Sequence, residues 1–88
     1  MRYDIQQSID FEIAISILND LIGRTSLDKL AEQKEAHPDQ STIARLEAKM
    51  NQFWDERAAL RPDDRAEIER VLNEYGPILK HGLSVLHG

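Results

Sequence analysis

The stretch SIDFEIAISILNDLIG, residues 8–23, places nine apolar residues among sixteen positions, and whether they are read with a period of two or of 3.6 decides the fold. Taken alone, EIAISI alternates, and its β-branched isoleucines suit a strand. On a helical wheel of about 100° per residue, however, Ile13, Ala14, Ile15, Ile17, Leu18, Leu21 and Ile22 gather in an arc of about 200°. Glu12, Ser16, Asn19 and Asp20 share the opposite side. The stretch therefore predicts a helix, with Ser8 placed to cap its start and Gly23 to end it in the left-handed conformation.

The same 3–4 spacing recurs along the chain, strand alternation does not, and glycine is scarce, so the expected class is all-α. TSLDKLAEQKEAHP reads as a shorter second helix, because Thr25 and Asp28 resemble a capping box and Pro38 opposes continuation. It carries few apolar residues and is expected to be a peripheral helix or helical connector. QSTIARLEAKMNQFWDERAALR aligns Ile43, Leu46, Met50, Phe53 and Leu60 in a heptad-like seam, with Arg57 at the remaining seam position. Arg57 is expected to reach past the core edge to Asp55 or Glu56, or to lie beyond the core. Trp54 is expected to widen the core or stand at its rim, with the shortage of aromatics favouring the core. Pro62 suits the first position of a further helix, and Asp64 with Glu67 forms another capping-box pattern. That helix aligns Ile68, Leu72, Tyr75, Leu79 and Leu83, and Gly76-Pro77 should end or kink it near Tyr75. The expected architecture is a three-helix bundle with an additional short helix or connector. It forms one domain over 1–88, with an N-terminal lead 1–7 and a tail from about 83 to 88.

With 88 residues and no cysteine, the chain has neither a disulfide framework nor a thiolate metal site, which fits a reducing, cytoplasmic setting. No signal peptide and no membrane span is read from it. Its net charge of -5 repels phosphate backbones, and Arg45, Lys49, Arg57, Arg61 and Arg65 are interleaved with acids, which argues against nucleic acid as a partner. His37, His81 and His87 do not converge two ligands on one helix face, so no metal site is expected. Asp63-Asp64 is the ordinary acidic first turn of a helix. No phosphate loop, embedded nucleophile or cofactor signature is present, and neither a cofactor nor an enzymatic activity is expected.

What the sequence offers instead is surface for association. An arc of about 200° on the first helix suits a central core helix, a homodimer seam or a groove-binding partner. Tyr3, Ile5, Ile9 and Phe11 lie at and before its start, with no other predicted element to cover them. Ile17, Leu18, Leu21 and Ile22 are the expected core contributors, whereas Phe11, Glu12 and Ile15 are expected to point away toward a partner.

FEIAISILNDL after a short lead, an acidic helical chain of this length, an aromatic-rich later helix and NEY in the last one together resemble the epsilon antitoxins of epsilon/zeta toxin–antitoxin pairs. Residues 24–40 and the Gly76-Pro77 step depart from that pattern. The resemblance implies a three-helix bundle that neutralises a zeta-type kinase, an enzyme that phosphorylates UDP-N-acetylglucosamine, by laying the first helix over its nucleotide site. Phe11 and Glu12 carry the motif. By helical geometry Asp10 joins Glu12 as a phosphate mimic, Tyr3 and Ile15 join Phe11 as anchors, and Ser16 and Asn19 complete the face. Two other classes fit the same features: another inhibitor encoded by a mobile element, such as an anti-defence protein, and a homo-oligomeric interaction or regulatory module.

Overall fold

The computed structural model describes residues 5–80, and the expectations for Tyr3, His81, Leu83, His87 and the tail lie outside the described residues. Three helices follow one another: α1 (Ile5–Gln33), α2 (Gln40–Ala59) and α3 (Arg65–Lys80). No strand occurs among the described residues. At 1.5 Å per residue the 29 residues of α1 extend about 43 Å, and the molecule measures 55 × 24 × 15 Å along its principal axes.

The expected separate second helix does not exist. Residues 25–33 continue the first helix without a break, and residues 5–7, assigned to the lead, are already helical. Gly23 sits inside α1 and Ser8 lies within it, so neither acts as a cap. A glycine in a helix interior costs only about 1 kcal/mol relative to alanine. Leu21, Ile22 and Thr25 are all buried around it, and their packing outweighs that penalty. Thr25 does not cap a new helix; its hydroxyl donates 2.7 Å back to the Leu21 carbonyl and removes a buried polar group from debt to water.

The turn that does end α1 is held by its own polar groups. Asp39 caps α2, accepting from the Ser41 amide at 3.0 Å and the Thr42 hydroxyl at 2.9 Å. Its own amide donates to Glu32 Oε2 at 2.9 Å. Those bonds, the Thr42 hydroxyl above all, hold the Asp39 carboxyl below its ordinary pKa.

α2 runs back along α1: Lys29 pairs with Glu47 at 3.9 Å, and Gln7 donates to the Pro62 carbonyl just beyond the other end of α2 at 2.9 Å. α3 then runs parallel to α1, with Arg65 bonded to Asp10 at its start and Gly76 beside the Ile17 side chain near its end. α3 begins at Arg65, so Pro62 lies in the preceding turn instead of opening the helix. Asp64 does serve as its cap, accepting from the Glu67 amide at 3.2 Å, but the Glu67 carboxylate turns to Arg70 and leaves the box half made. Nor does α3 end at Tyr75, since Pro77 lies within it. Proline normally excludes helical geometry from the residue before it through a clash with that residue's Cβ, and Gly76 has none. The Asn73 carbonyl that loses its donor lies on an exposed turn of helix.

The main core lies where all three helices meet. Ala14, Leu18, Leu21 and Ile22 of α1 pack with Phe53 and Leu60 and with Ile68, Val71 and Tyr75. Phe53 meets the Tyr75 ring edge to face at 5.4 Å. Ile43 and Leu46 are also buried, but outside that cluster, near the α1–α2 end marked by the Lys29–Glu47 pair. The α2 seam is as expected, with Met50 half-buried. On α3 the buried line is Ile68, Val71 and Tyr75, and Leu72 is only half-buried, a small rotation from the expected face. Trp54 stands at the rim, about half exposed. Arg57 lies over it at 5.3 Å instead of reaching Asp55 or Glu56.

Candidate functional site

Two places gather polar chemistry on a defined scaffold. The first ties α2 to α3. The Glu56 carboxylate accepts from the Tyr75 hydroxyl at 2.8 Å, from Gln52 Nε2 at 2.9 Å and from the Arg70 guanidinium, which also binds Glu67 and reaches Glu74 at 3.2 Å. Burial pushes the Glu56 pKa up, but the bonds from Arg70, Gln52 and Tyr75 outweigh it and leave the carboxyl below its ordinary value. Burial, with the Glu56 charge, raises the Tyr75 phenol above its already high value, and the bonds to Glu67 and Glu56 raise that of Arg70. All three shifts move away from neutrality. The cluster is a clasp between helices, with no group in it poised to exchange a proton near pH 7.

The second place is an open groove of ≈ 410 Å³ between the first half of α1 and the end of α3, lined by Ile9, Glu12, Ile13, Ser16, Ile17, Asp20 and Leu79. Its floor is aliphatic: Ile9 and Ile13 are about half exposed and Ile17 packs partly on the core. Glu12 and Asp20 border it, one turn to either side of Ser16. An aliphatic floor with two carboxylates on its margin has the chemistry to accept an apolar side chain flanked by a cation.

The residues expected to meet a partner divide between this groove and the core. Glu12 and Ser16 line the groove, and Asn19 is exposed. Phe11 and Ile15, expected to point outward, are half-buried against the core. Asp10 is half-buried too, pairing with Arg65 at 2.9 Å and accepting from Gln6 Nε2 at 2.9 Å. Those two bonds, Arg65's first, hold its carboxyl below the ordinary aspartate value. The reason is which side of α1 the other helices cover. Arg65 also donates to Gln7 Oε1 at 3.3 Å, and Gly76 lies beside Ile17, so α3 runs along the Gln7–Asp10–Ile17 edge while Ile9 and Ile13 stay in the open. Ile9 was among the positions near the helix start that no predicted element covered, whereas nothing in the sequence singled out Ile13 and Asp20 as groove residues.

Among the described residues no helix is long and apolar enough to cross a membrane, and no group of three histidines, cysteines or acids converges to hold a metal ion. Comparison of the chain with protein-family models, curated proteins and solved structures finds no match.

Proposed function

We propose that the protein is a non-catalytic binding module whose working surface is the outer side of the first half of α1. In its specific form this reading is the one the sequence resemblance offers: a stoichiometric antitoxin that covers the nucleotide site of a zeta-type kinase. The observation that carries it is the open aliphatic groove with Glu12 on its margin, on the segment the resemblance singles out. Glu12 then stands where a nucleotide phosphate would be, facing the cations of the kinase, while Ile9 and Ile13 supply apolar contact. Asp10 holds α1 to α3 through Arg65 and is not a second phosphate mimic. Phe11 and Ile15 act through the fold, by fixing α1 on the core.

The test is a kinase with a phosphate-binding loop encoded beside this gene, mixed with the purified protein at equal concentration. Nucleotide binding to the kinase should be suppressed. Glu12→Ala with Ile13→Ala should relieve the suppression by about 30-fold or more, a loss of about 2–4 kcal/mol for a charge-assisted contact and an apolar anchor together. The far-ultraviolet dichroism of that variant should be unchanged, since both residues are exposed. Unimpaired nucleotide binding in the presence of the wild-type protein, or the lack of such a kinase gene, ends the antitoxin reading.

A further inference from the structure

A half-buried cation on α2 is left without a counter-charge. The Arg57 Nε is closed off from solvent, and among the described residues the guanidinium makes no hydrogen bond and no ion pair. Drawing a cation out of water without a partner costs stability, so the arrangement calls for a reason outside the fold. The neighbouring acids supply none. Glu56 is taken up by the clasp to α3, and Asp55 leaves Arg57 unpaired. The guanidinium lies instead over Trp54, its Cζ 5.3 Å from the centre of the indole. That ring is 47% exposed, and its N–H is unbonded as well. Within one turn of Trp54 on the surface of α2 stand Met50, Asn51, Arg57 and Ala58, which bring one cation and no acid in a chain of net charge -5.

From the unpaired guanidinium and its exposed indole platform we infer a second binding surface, on α2, that takes an acidic segment of another protein through one of its carboxylates. With Nε closed off, the open edge of the guanidinium is the one that carries both Nη atoms, and a carboxylate meets that edge with two parallel hydrogen bonds. The exposed part of the indole, with Met50 and Ala58 beside it, then covers the apolar residue next to that carboxylate. Tryptophan and arginine are the residue types that most often dominate such contacts. A nucleic acid base would stack on the same ring, but its strand brings a phosphate with every nucleotide against a chain of net charge -5. A single carboxylate asks for one cation only. This surface shares no residue with the α1 groove, is opposite to it in charge, and does not rest on the kinase reading.

Trp54 is the only tryptophan of the chain, so its fluorescence reports on this surface directly. The probe is a tripeptide of leucine, aspartate and leucine with both ends blocked, titrated into the full-length protein. Emission should shift with half-saturation at about 1–10 mM, the range open to so small a ligand. The same peptide with asparagine or lysine in place of aspartate should leave the emission unchanged. Arg57→Gln should weaken binding about 10-fold or more, since it removes the charge and one edge of the fork. Arg57→Met should lose the peptide and yet melt no lower than the wild type, because it deletes a half-buried charge that nothing in the fold pairs. A residue serving the fold would not combine those two results. Unchanged emission at about 50 mM peptide overturns the inference. So does an equal response to the asparagine peptide or to sodium acetate, wild-type affinity in Arg57→Gln, or a lowered melting temperature in Arg57→Met. Tighter binding of single-stranded oligothymidylate than of the acidic peptide overturns it as well, and assigns the indole to nucleic acid.

Discussion

The two halves of α1 are one helix in two environments. From Gln7 to about Ile22 it lies between α2 and α3 and supplies Ala14, Leu18, Leu21 and Ile22 to a core shared by three helices. From Gly23 to Gln33 its cross-helix tie is the ion pair of Lys29 with Glu47 on α2, Thr25 is its one buried residue, and Leu27 and Leu30 face outward. Helical continuity over the second half is thus maintained by one packed neighbour and by propagation from the first, since extending an existing helix needs no new nucleation. Local stability should fall along α1 although its backbone geometry does not change.

The two halves should respond very differently to the same substitution. Leu18→Ala, at a site with no exposure, should cost about 2–5 kcal/mol by chemical denaturation. Leu30→Ala, at 45% exposure, should cost less than about 1 kcal/mol. Similar losses at the two sites would mean that the halves are equally packed. Phe53→Ala, which removes the ring beneath Tyr75, belongs with Leu18 at about 3–5 kcal/mol.

Next in size is the clasp that closes the three-helix half. Glu56→Gln should destabilise by about 1–2 kcal/mol at pH 7, because it removes the charge that Arg70, Tyr75 and Gln52 converge on. The sign with pH follows from the lowered Glu56 pKa. The carboxylate's contribution is complete above its unfolded value of about 4.3 and is lost as the pH falls through the still lower folded value. Melting temperature against pH should accordingly drop more steeply below about pH 4.5 for the wild type than for Glu56→Gln. Parallel acid limbs would show that the clasp adds nothing to stability.

The smallest effect has a diagnostic sign. A Cβ added at Gly23 meets no heavy atom within 4 Å, so Gly23→Ala should stabilise by about 0.5–1 kcal/mol in chemical denaturation. Were Gly23 a left-handed helix terminator, the same change would destabilise.

That position also marks where the sequence stops being legible. The helical class, the α2 seam of Ile43, Leu46, Phe53 and Leu60, and Asp64 at the start of α3 could all be read from spacing. The Gly23-Arg24-Thr25 step could not, because a threonine that caps a new helix and one that bonds its own preceding turn look alike in one dimension. Pro77 misled for a similar reason: its usual effect is cancelled by the glycine before it. The candidate surface was half legible. An arc of about 200° announces that more of α1 is apolar than one neighbour can cover, but not which edge stays bare. That depends on how α2 and α3 pack on Ala14, Leu18, Leu21 and Ile22, and on contacts such as those of Arg65 with Gln7 and Asp10, 58 and 55 positions away in the chain. The packing half-buries Phe11 and Ile15, which were expected to point outward, and leaves Ile13 in the open along with Ile9, which was expected to be uncovered.

Because α1 outruns α3, the molecule is a rod, and this governs how it moves through solvent. Its radius of gyration is 14.9 Å, whereas a compact chain of this length would have about 12 Å. Frictional drag rises with such elongation, so on a sizing column calibrated with spherical standards a single copy elutes ahead of its mass. An early peak is therefore what the monomer itself produces, and only a method that weighs particles without reference to their drag distinguishes one copy from two.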